Sequence, residues 1–134
     1  MASLVTGGSG YFGHVLVEKL RAQGQSVAVL DLLDSTERPP DVAFHRGDIR
    51  DEDAVRRACR GVEVVYHNVA QVPIAKDKAL FWSVNRDGTA TILRAAREAG
   101  ARKVVYTSSS AVFGVPRRNP VRPEDEPTPM EAYG

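Results

Sequence analysis

A glycine-rich turn near the start of the chain constrains its fold more than any other sequence feature. The apolar residues Leu4 and Val5 lead into residues 6–13, which read TGGSGYFG and satisfy the spacing Gly-x-Gly-x-x-Gly from Gly8 onward. This spacing connects a β-strand to an α-helix in βαβ units that bind dinucleotides. The turn therefore predicts an α/β domain with an anion-binding corner between its first strand and its first helix.

The glycines of this turn have separate expected roles. Gly7 and Gly8 are expected to adopt positive φ, which costs little without a Cβ atom. Gly10 would let the backbone approach phosphate oxygens, and Gly13 would let the helix lie close to the sheet. The first amides of the new helix have no partner inside it and would face an anion. These amides belong to Tyr11, Phe12 and Gly13.

The second predicted strand ends at a carboxylate. Apolar residues at helical spacing follow Gly13 as far as Gln23, and the apolar run that begins at Ser26 closes with Asp31. Asp31 lies 18 residues after Gly13, close to the ~20 residues expected for an acid that binds the adenosine ribose. A carboxylate accepts hydrogen bonds from ribose hydroxyls and repels a 2′-phosphate, so this position favours NAD over NADP.

Composition excludes several classes of function. The 134 residues include 18 Lys and Arg and 17 Asp and Glu, so the chain lacks the basic field that nucleic acid requires. No apolar run approaches the ~18 residues of a membrane span, and we expect a cytoplasmic protein with no membrane partner. The histidines lack metal-ligand spacing, and His67 is expected to pack or hydrogen-bond rather than catalyse. The single cysteine, Cys59, is expected to be a buried thiol without a catalytic role.

The remainder of the chain alternates strand and helix, which predicts a parallel sheet covered on both faces. Asp51 is the expected N-cap of the second helix, and Gly100 is the expected C′ residue of a long third helix. The predicted elements are a strand over 42–44, a helix over 52–59, a strand over 62–66, a helix over 80–99 and a strand over 103–108. This order predicts an α/β fold, a Rossmann-type doubly wound parallel sheet.

Taken together, the motifs resemble the N-terminal part of an extended short-chain dehydrogenase/reductase, of the NAD-dependent epimerase/dehydratase family. The resemblance covers essentially the whole chain and rests on the order and spacing of six segments. These are residues 6–13, 47–51, 67–70, 84–89 and 107–114, with Tyr133 and Gly134 at the end.

The resemblance implies how the chain would contact NAD. Asp48 and Ile49 would flank the adenine, Val69 and Ala70 would line the middle of the cofactor, and Asn85 would lie near the nicotinamide. Two of these positions have a plainer alternative: Asp48 could close a turn, and Asn85 could cap or bridge backbone groups.

In such a family the chemistry depends on a serine, a tyrosine and a lysine, the last two spaced Tyr-x-x-x-Lys. Alignment on Phe113 and Gly114 selects Ser109 as the hydroxyl that faces the substrate, and Tyr133 would be the acid/base. The lysine would fall beyond Gly134. Phenols have a pKa of about 10 in small reference compounds, so a phenol acts as a base at neutral pH only when a nearby cation stabilises the phenolate.

These positions lead us to expect an incomplete domain. In the strand order 3-2-1-4-5-6, the fifth strand would be left as an edge, and the domain would be truncated after it. We therefore expect residues 1–134 to form an NAD-binding Rossmann domain whose catalytic lysine and substrate-binding lobe lie beyond the chain end. Alone, such a chain would bind NAD but turn over poorly or not at all.

The predicted function is that of an NAD-dependent oxidoreductase, epimerase or dehydratase acting on a hydroxyl carbon, with a nucleotide sugar as the small-molecule substrate. Two alternatives stay open. One is a 3β-hydroxysteroid-dehydrogenase-like oxidoreductase, because specificity lies outside the shared motifs. The other is a non-catalytic dinucleotide-binding regulatory protein. A homodimer is a further expectation, with Trp82 either in internal packing or on the dimer face.

Overall fold

The strands form one parallel sheet in a computed structural model that describes residues 1–72, 77–131 and 133–134. Their order across the sheet is β3-β2-β1-β4-β5, and every neighbouring pair is parallel. The order confirms the predicted Rossmann-type fold and places the fifth strand at one edge of the described sheet. The strands are β1 (Ala2–Thr6), β2 (Ser26–Asp31), β3 (Ala43–Arg46), β4 (Val64–His67) and β5 (Lys103–Tyr106).

The helices cover both faces of this sheet, and the helix that follows Asp51 begins at a side-chain cap. The carboxylate of Asp51 accepts hydrogen bonds from the amides of Asp53 and Ala54, which confirms it as an N-cap. The helices are α1 (Tyr11–Ala22), α2 (Glu52–Cys59), α3 (Lys78–Trp82) and α4 (Thr89–Glu98), with a π-helical segment (Ser83–Gly88) and a 3-10 turn (Ser110–Phe113). A loop follows from Gly114 onward.

The prediction of one regular helix over 80–99 was wrong in its interior. The helix begins at Lys78, and the π-helical segment lies between α3 and α4. A π-turn adds a residue per turn, and such turns are frequent at functional sites. Here it ends at Gly88, where a Cβ atom would lie 2.5 Å from Cδ1 of Ile49. Apolar periodicity alone did not reveal this insertion. The expected C′ residue is confirmed, since Gly100 has φ +75°.

Two apolar clusters, one on each face of the sheet, form the core. One includes Leu30, Val55 and Ile92, and the other includes Val29 and Leu20. Adjacent residues of β2 thus point into different clusters, as the alternation of side chains along a strand requires. Burial on both faces explains why the strands read as nearly continuous apolar runs.

The register aligns the carboxyl ends of the central strands, where the chain turns in opposite directions. Thr6 at the end of β1 pairs with Leu30 on one side and with His67 on the other. Ligands of doubly wound sheets bind in the crevice at this switch point. The fold therefore places the glycine turn, which follows Thr6, at the mouth of the expected crevice. None of the helices over the described residues has the length and apolar character to cross a membrane.

Candidate functional site

The glycine turn connects β1 to α1 and bonds to its neighbours through its own backbone. Gly7 has φ +71°, and its amide donates to the carbonyl of Leu30 over 3.0 Å. The amide of Gly10 bonds back to the carbonyl of Gly7 over 3.3 Å, and α1 begins at the next residue. Within the described part of the chain, no acceptor is bonded to the first-turn amides of α1, which belong to Tyr11, Phe12 and Gly13. These three amides can bind an anion.

Gly8 has a different role from the one expected. The structure gives it no positive φ, so that part of the prediction was wrong. A Cβ atom on Gly8 would lie 2.5 Å from Cγ2 of Val29, which is a severe overlap. The glycine is therefore required by the close approach of the turn to β2, and not by a left-handed backbone.

Gly10 and Gly13 differ in what surrounds them. A Cβ atom on Gly13 would lie 2.1 Å from the carbonyl oxygen of Gly7, so the helix and the turn touch through backbone atoms. The nearest atom to a Cβ on Gly10 is 3.5 Å away, an ordinary contact. Gly13 is thus required by the fold itself, whereas the protein leaves space at Gly10. The side chains of Tyr11 and Phe12 are exposed at this corner.

Asp31 lies beside the turn at the end of β2. Its carboxylate accepts hydrogen bonds from the amide of Ser9 over 3.1 Å and from the amide of Leu32 over 2.8 Å. Both bonds use backbone donors, so the carboxylate keeps further lone pairs for a ligand. The hydroxyl oxygen of Ser9 is buried, and no group in the described residues hydrogen-bonds to it. Such an orphaned hydroxyl next to the turn is consistent with a polar ligand there.

A cleft of about 290 Å³ opens next to Asp31. Its lining includes four of the residues expected to contact the cofactor, namely Asp31, Asp48, Ile49 and Val69. Small-molecule sites usually occupy ~300–1,000 Å³, so this cleft fits one part of a dinucleotide rather than the whole. The fold therefore brings together residues that are far apart in sequence.

Asp48 forms a tight ion pair at the rim of the cleft. Its carboxylate accepts from the guanidinium of Arg50, with 2.5 Å between Oδ2 and Nη2, and from the amide of Arg50 over 2.9 Å. These hydrogen bonds hold the pKa of Asp48 below its usual value. Arg50 also donates to the hydroxyl of Ser83 over 3.2 Å. Asp48 thus closes a turn, as its alternative role required, and still lines the cleft.

Asn85 bridges backbone groups. Its Oδ1 accepts from the amide of Gln71 over 2.7 Å, and its Nδ2 donates to the carbonyl of Gln71 over 3.0 Å. This pairing fixes the chain immediately after the exposed residue Ala70. Asn85 thus bridges backbone groups, which was the alternative to a place near the nicotinamide. It does so next to Val69 and Ala70, which are expected to line the middle of the cofactor.

The two expected catalytic residues lie on the C-terminal part of the chain. Ser109 precedes the 3-10 turn, and its Oγ accepts from the amide of Ala111 over 3.2 Å, which leaves its hydroxyl hydrogen available. The ring of Tyr133 meets that of Phe81 edge-on, with 6.2 Å between centroids. A Cβ on Gly134 would lie 2.4 Å from the carbonyl oxygen of Ala111, so the residue after Tyr133 touches the turn that Ser109 begins.

A larger cavity, of about 480 Å³, lies within the C-terminal loop. Arg118 in its lining is paired with Asp125, whose carboxylate also accepts from the backbone amide of Arg122 over 2.8 Å. These bonds keep the pKa of Asp125 low. Since this cavity contains neither the glycine turn nor a strand end, the smaller cleft beside Asp31 is the better cofactor candidate.

Other residues of the site were missed or set aside at the sequence level. The sequence predicted no role for Arg50, Gln71 or Thr89. Each of them hydrogen-bonds to a residue that was expected to contact the cofactor, which is Asp48 for the first and Asn85 for the other two. For Thr89, the sequence signal that could have indicated a role was a polar residue next to Gly88 within the segment 84–89. Cys59 is fully buried as expected, and burial raises the pKa of its thiol to about 11, which excludes a thiolate nucleophile at neutral pH.

These features fit a dinucleotide. The free amides suit a pyrophosphate, Gly10 leaves space for its approach, and the cleft beside Asp31 suits a nucleoside.

Comparison with known proteins supports this interpretation. Residues 3–134 match the NAD dependent epimerase/dehydratase family. An uncharacterized protein of Sinorhizobium fredii is 54% identical over 98% of this chain and 33% of its own length. A UDP-glucose 4-epimerase of Streptomyces lividans is 36% identical, covering 98% of this chain and 43% of the relative. A decarboxylating sterol-4-alpha-carboxylate 3-dehydrogenase of Mus musculus is 37% identical, covering 95% of this chain and 35% of the relative.

Solved structures agree in fold. A UDP-glucose 4-epimerase of Thermus thermophilus in complex with NAD has a TM-score of 0.89 and 38% identity, covering 99% of this chain and 46% of that one. A short-chain dehydrogenase/reductase superfamily protein of Agrobacterium tumefaciens with bound NAD has a TM-score of 0.91 and 33% identity, covering 99% of this chain and 40% of that one. The chain thus spans less than half the length of each of these proteins.

Proposed function

This chain belongs to the NAD dependent epimerase/dehydratase family, and from that premise we propose that the protein moves hydride between NAD and a hydroxyl-bearing carbon of a nucleotide sugar. The observation that carries the proposal is the row of amides at residues 11–13, which have no acceptor among the described residues, together with Asp31, which lines the cleft and accepts from the amide of Ser9 in the glycine turn. Amides at a helix N-terminus recognise phosphate, and a carboxylate at the end of the second strand recognises ribose.

Each part of NAD has proposed contacts in this site. The pyrophosphate would accept from the amides of Tyr11, Phe12 and Gly13. The adenosine ribose would donate to Asp31, and the adenine would lie against Asp48 and Ile49 in the cleft. Val69 and Ala70 would line the middle of the cofactor, and Asn85 would fix the chain beside the nicotinamide end. The family is NAD-dependent, in agreement with the cofactor predicted from the sequence.

The chain's own residues would handle the proton. Bound NAD supplies the hydride acceptor. The hydroxyl of Ser109 already accepts from Ala111, so its hydrogen is free to donate to the substrate oxygen. The phenolate of Tyr133 would take the proton from the same substrate hydroxyl while hydride leaves its carbon. We propose that a lysine four residues after Tyr133, outside residues 1–134, supplies the cation that stabilises the phenolate.

The choice of substrate rests on the relatives. Two of the similar proteins are UDP-glucose 4-epimerases, which supports a nucleotide sugar. The mouse relative is a sterol carboxylate dehydrogenase of equal similarity, and it supports the steroid-type alternative. With either substrate the proposed step is oxidation of a hydroxyl-bearing carbon, so the same Ser109 and Tyr133 would serve both.

The test combines binding and turnover in the full-length protein. Calorimetry should detect NAD binding, and NMR should detect interconversion of UDP-glucose and UDP-galactose. Ser109→Ala and Tyr133→Phe should bind NAD like the wild type but lose turnover by about 100-fold or more. Oxidation of a 3β-hydroxysteroid without sugar conversion would favour the alternative enzyme. NAD binding without either turnover would favour a regulatory protein, and absence of NAD binding would refute the proposal.

A further inference from the structure

A buried histidine that the proposed reaction does not use lies at the switch point of the sheet. His67 ends β4 and is fully buried. Its Nδ1 lies 2.7 Å from Oγ1 of Thr6, and its Nε2 lies 2.9 Å from Oγ1 of Thr89. The ring also stacks on Tyr106, with 5.5 Å between centroids. The imidazole is therefore held by a hydroxyl at each nitrogen and by a ring on one face.

The neighbouring bonds determine which nitrogen carries the hydrogen. The hydroxyl of Thr89 donates to the carbonyl of Asn85 over 2.7 Å. A hydroxyl has a single hydrogen, so the oxygen of Thr89 must accept from Nε2–H of His67. On the other side, Oγ1 of Thr6 accepts from the amide of Asn68 over 3.2 Å and can donate its hydrogen to the bare Nδ1. Both ring nitrogens then have a partner of the matching kind when the ring is neutral.

The two ends of this hydrogen-bond chain meet the same short segment. One end is the amide of Asn68. At the other end, Thr89 bonds to Asn85, whose side chain pairs with both backbone groups of Gln71. Residues 68–71 are thus fixed at both termini by contacts that lead back to one imidazole. Between these termini lie Val69 and Ala70, which would line the middle of the cofactor.

We propose that His67 is a positioning residue, held as the neutral Nε2–H tautomer, that fixes residues 68–71 in the conformation that receives the cofactor. The proposal rests on the proposed function for what the segment binds, but the hydrogen-bond chain itself does not depend on it. Burial supports the neutral form, because it lowers the pKa of His67 to about 4. The ring has no access to substrate and acts only through Thr6, Thr89 and Asn85.

The first experiment reads the tautomer directly. In full-length protein labelled with ¹⁵N-histidine, NMR at pH 7 should show His67 with a protonated Nε2 and a bare Nδ1. His14 and His45 lie in other elements and serve as internal controls. A protonated Nδ1, or a ring charged at pH 7, would overturn the proposal.

The second experiment separates positioning from general stability by using a matched pair at Thr89. Thr89→Val keeps the shape and removes the hydroxyl, whereas Thr89→Ser keeps the hydroxyl. Hydrogen exchange at the amide of Gln71 should become about tenfold faster in the valine variant and return to within twofold of wild type in the serine variant. Equal acceleration of all slow amides, or no change at Gln71, would show that the chain of bonds does not position this segment.

NAD binding supplies the functional arm. The dissociation constant should rise about fivefold or more in Thr89→Val and be restored in Thr89→Ser. Unchanged affinity in the valine variant would overturn the link between His67 and the cofactor. If the wild type binds no NAD, the proposed function fails, while the tautomer and the exchange of Gln71 still decide whether His67 positions the segment.

Discussion

Two glycines of the same turn should respond to alanine in opposite ways. The structure places Gly13 against backbone atoms and leaves room for a Cβ atom at Gly10, where the nearest contact is an ordinary one. We therefore expect Gly13→Ala to lose folding stability, and Gly10→Ala to lose NAD affinity while it remains folded. The pair distinguishes a glycine required by the fold from one required by a ligand.

The expected loss for Gly13→Ala follows from its contacts. The new Cβ would lie 2.1 Å from the carbonyl oxygen of Gly7, whereas Cβ atoms essentially never come within 3.0 Å of another heavy atom. The helix α1 must therefore move by about 0.9 Å relative to the turn, and backbone on both sides resists that movement. Overpacking of this kind costs ~1–3 kcal/mol and occasionally more, so we expect a loss of about 3 kcal/mol in the free energy of unfolding.

Gly10→Ala should change stability little. Its φ of −80° and ψ of 168° are open to alanine, and the nearest atom to a Cβ is 3.5 Å away. Reduced freedom of the unfolded chain would stabilise by ~0.4–1 kcal/mol, and poorer N-capping by alanine would offset this. If the Cβ displaces one charge-assisted hydrogen bond to phosphate, worth ~1.5–3 kcal/mol, the dissociation constant for NAD should rise about tenfold to a hundredfold.

The assay is urea unfolding of both variants in parallel with calorimetric titration of NAD. Stability should fall only in Gly13→Ala, and a folded Gly10→Ala should bind NAD weakly. Wild-type affinity in Gly10→Ala would refute the location of the phosphates. Wild-type stability in Gly13→Ala would refute the tight backbone contact.

Three further measurements test other parts of the structure. The folded-state pKa of His67, about 4, is below the ~6.5 of an unfolded histidine, so its contribution to stability is complete above pH ~6.5 and is lost as the pH falls. By pH 4 the free energy of unfolding measured in urea should have fallen by about 3 kcal/mol through this group, and this fall should be absent in His67→Gln. If stability fell in parallel with pH in the wild type and in His67→Gln, the buried neutral state of His67 would be contradicted. Asp31→Ala should weaken NAD binding about tenfold and reduce the preference for NAD over NADP, both measured by fluorescence titration. The control Asp34→Ala, which removes an exposed carboxylate paired with Arg38, should leave the affinities for NAD and NADP unchanged. If the two variants changed these affinities equally, the effect would be one of general charge and not of ribose recognition. Asp51→Ala should lower the free energy of unfolding by about 1 kcal/mol through loss of the α2 cap, and Asp53→Ala should cost only a few tenths; equal losses would contradict the capping role.

The local features of the fold were readable from the sequence. The glycine turn, the N-cap Asp51 and the C′ residue Gly100 each depend on residues a few positions apart, so their spacing carries the information. Alternation of strand and helix predicted a parallel sheet, and the usual strand order of doubly wound folds supplied the order across it. The family resemblance added the expected cofactor residues and the pair Ser109 and Tyr133.

Helix packing was less predictable. Apolar residues at helical spacing correctly indicated α1, but Val15 is exposed while Val17 is buried. The π-helical segment was missed for a related reason. Its position depends on how Gly88 meets Ile49 from a distant loop, and periodicity within one segment contains no record of that contact.

The sequence by itself determined that a strand, a glycine turn, a helix and an acidic strand end would follow one another, because short-range sterics and hydrogen bonding fix these elements. Only the tertiary structure decided that Gly13 touches the backbone of Gly7, that Asp48 is held by Arg50, and that His67 connects Thr6 to Thr89. These relations depend on distances between groups that folding brings together, and in a close-packed interior a fraction of an ångström determines whether a contact, a hydrogen bond or a cleft exists.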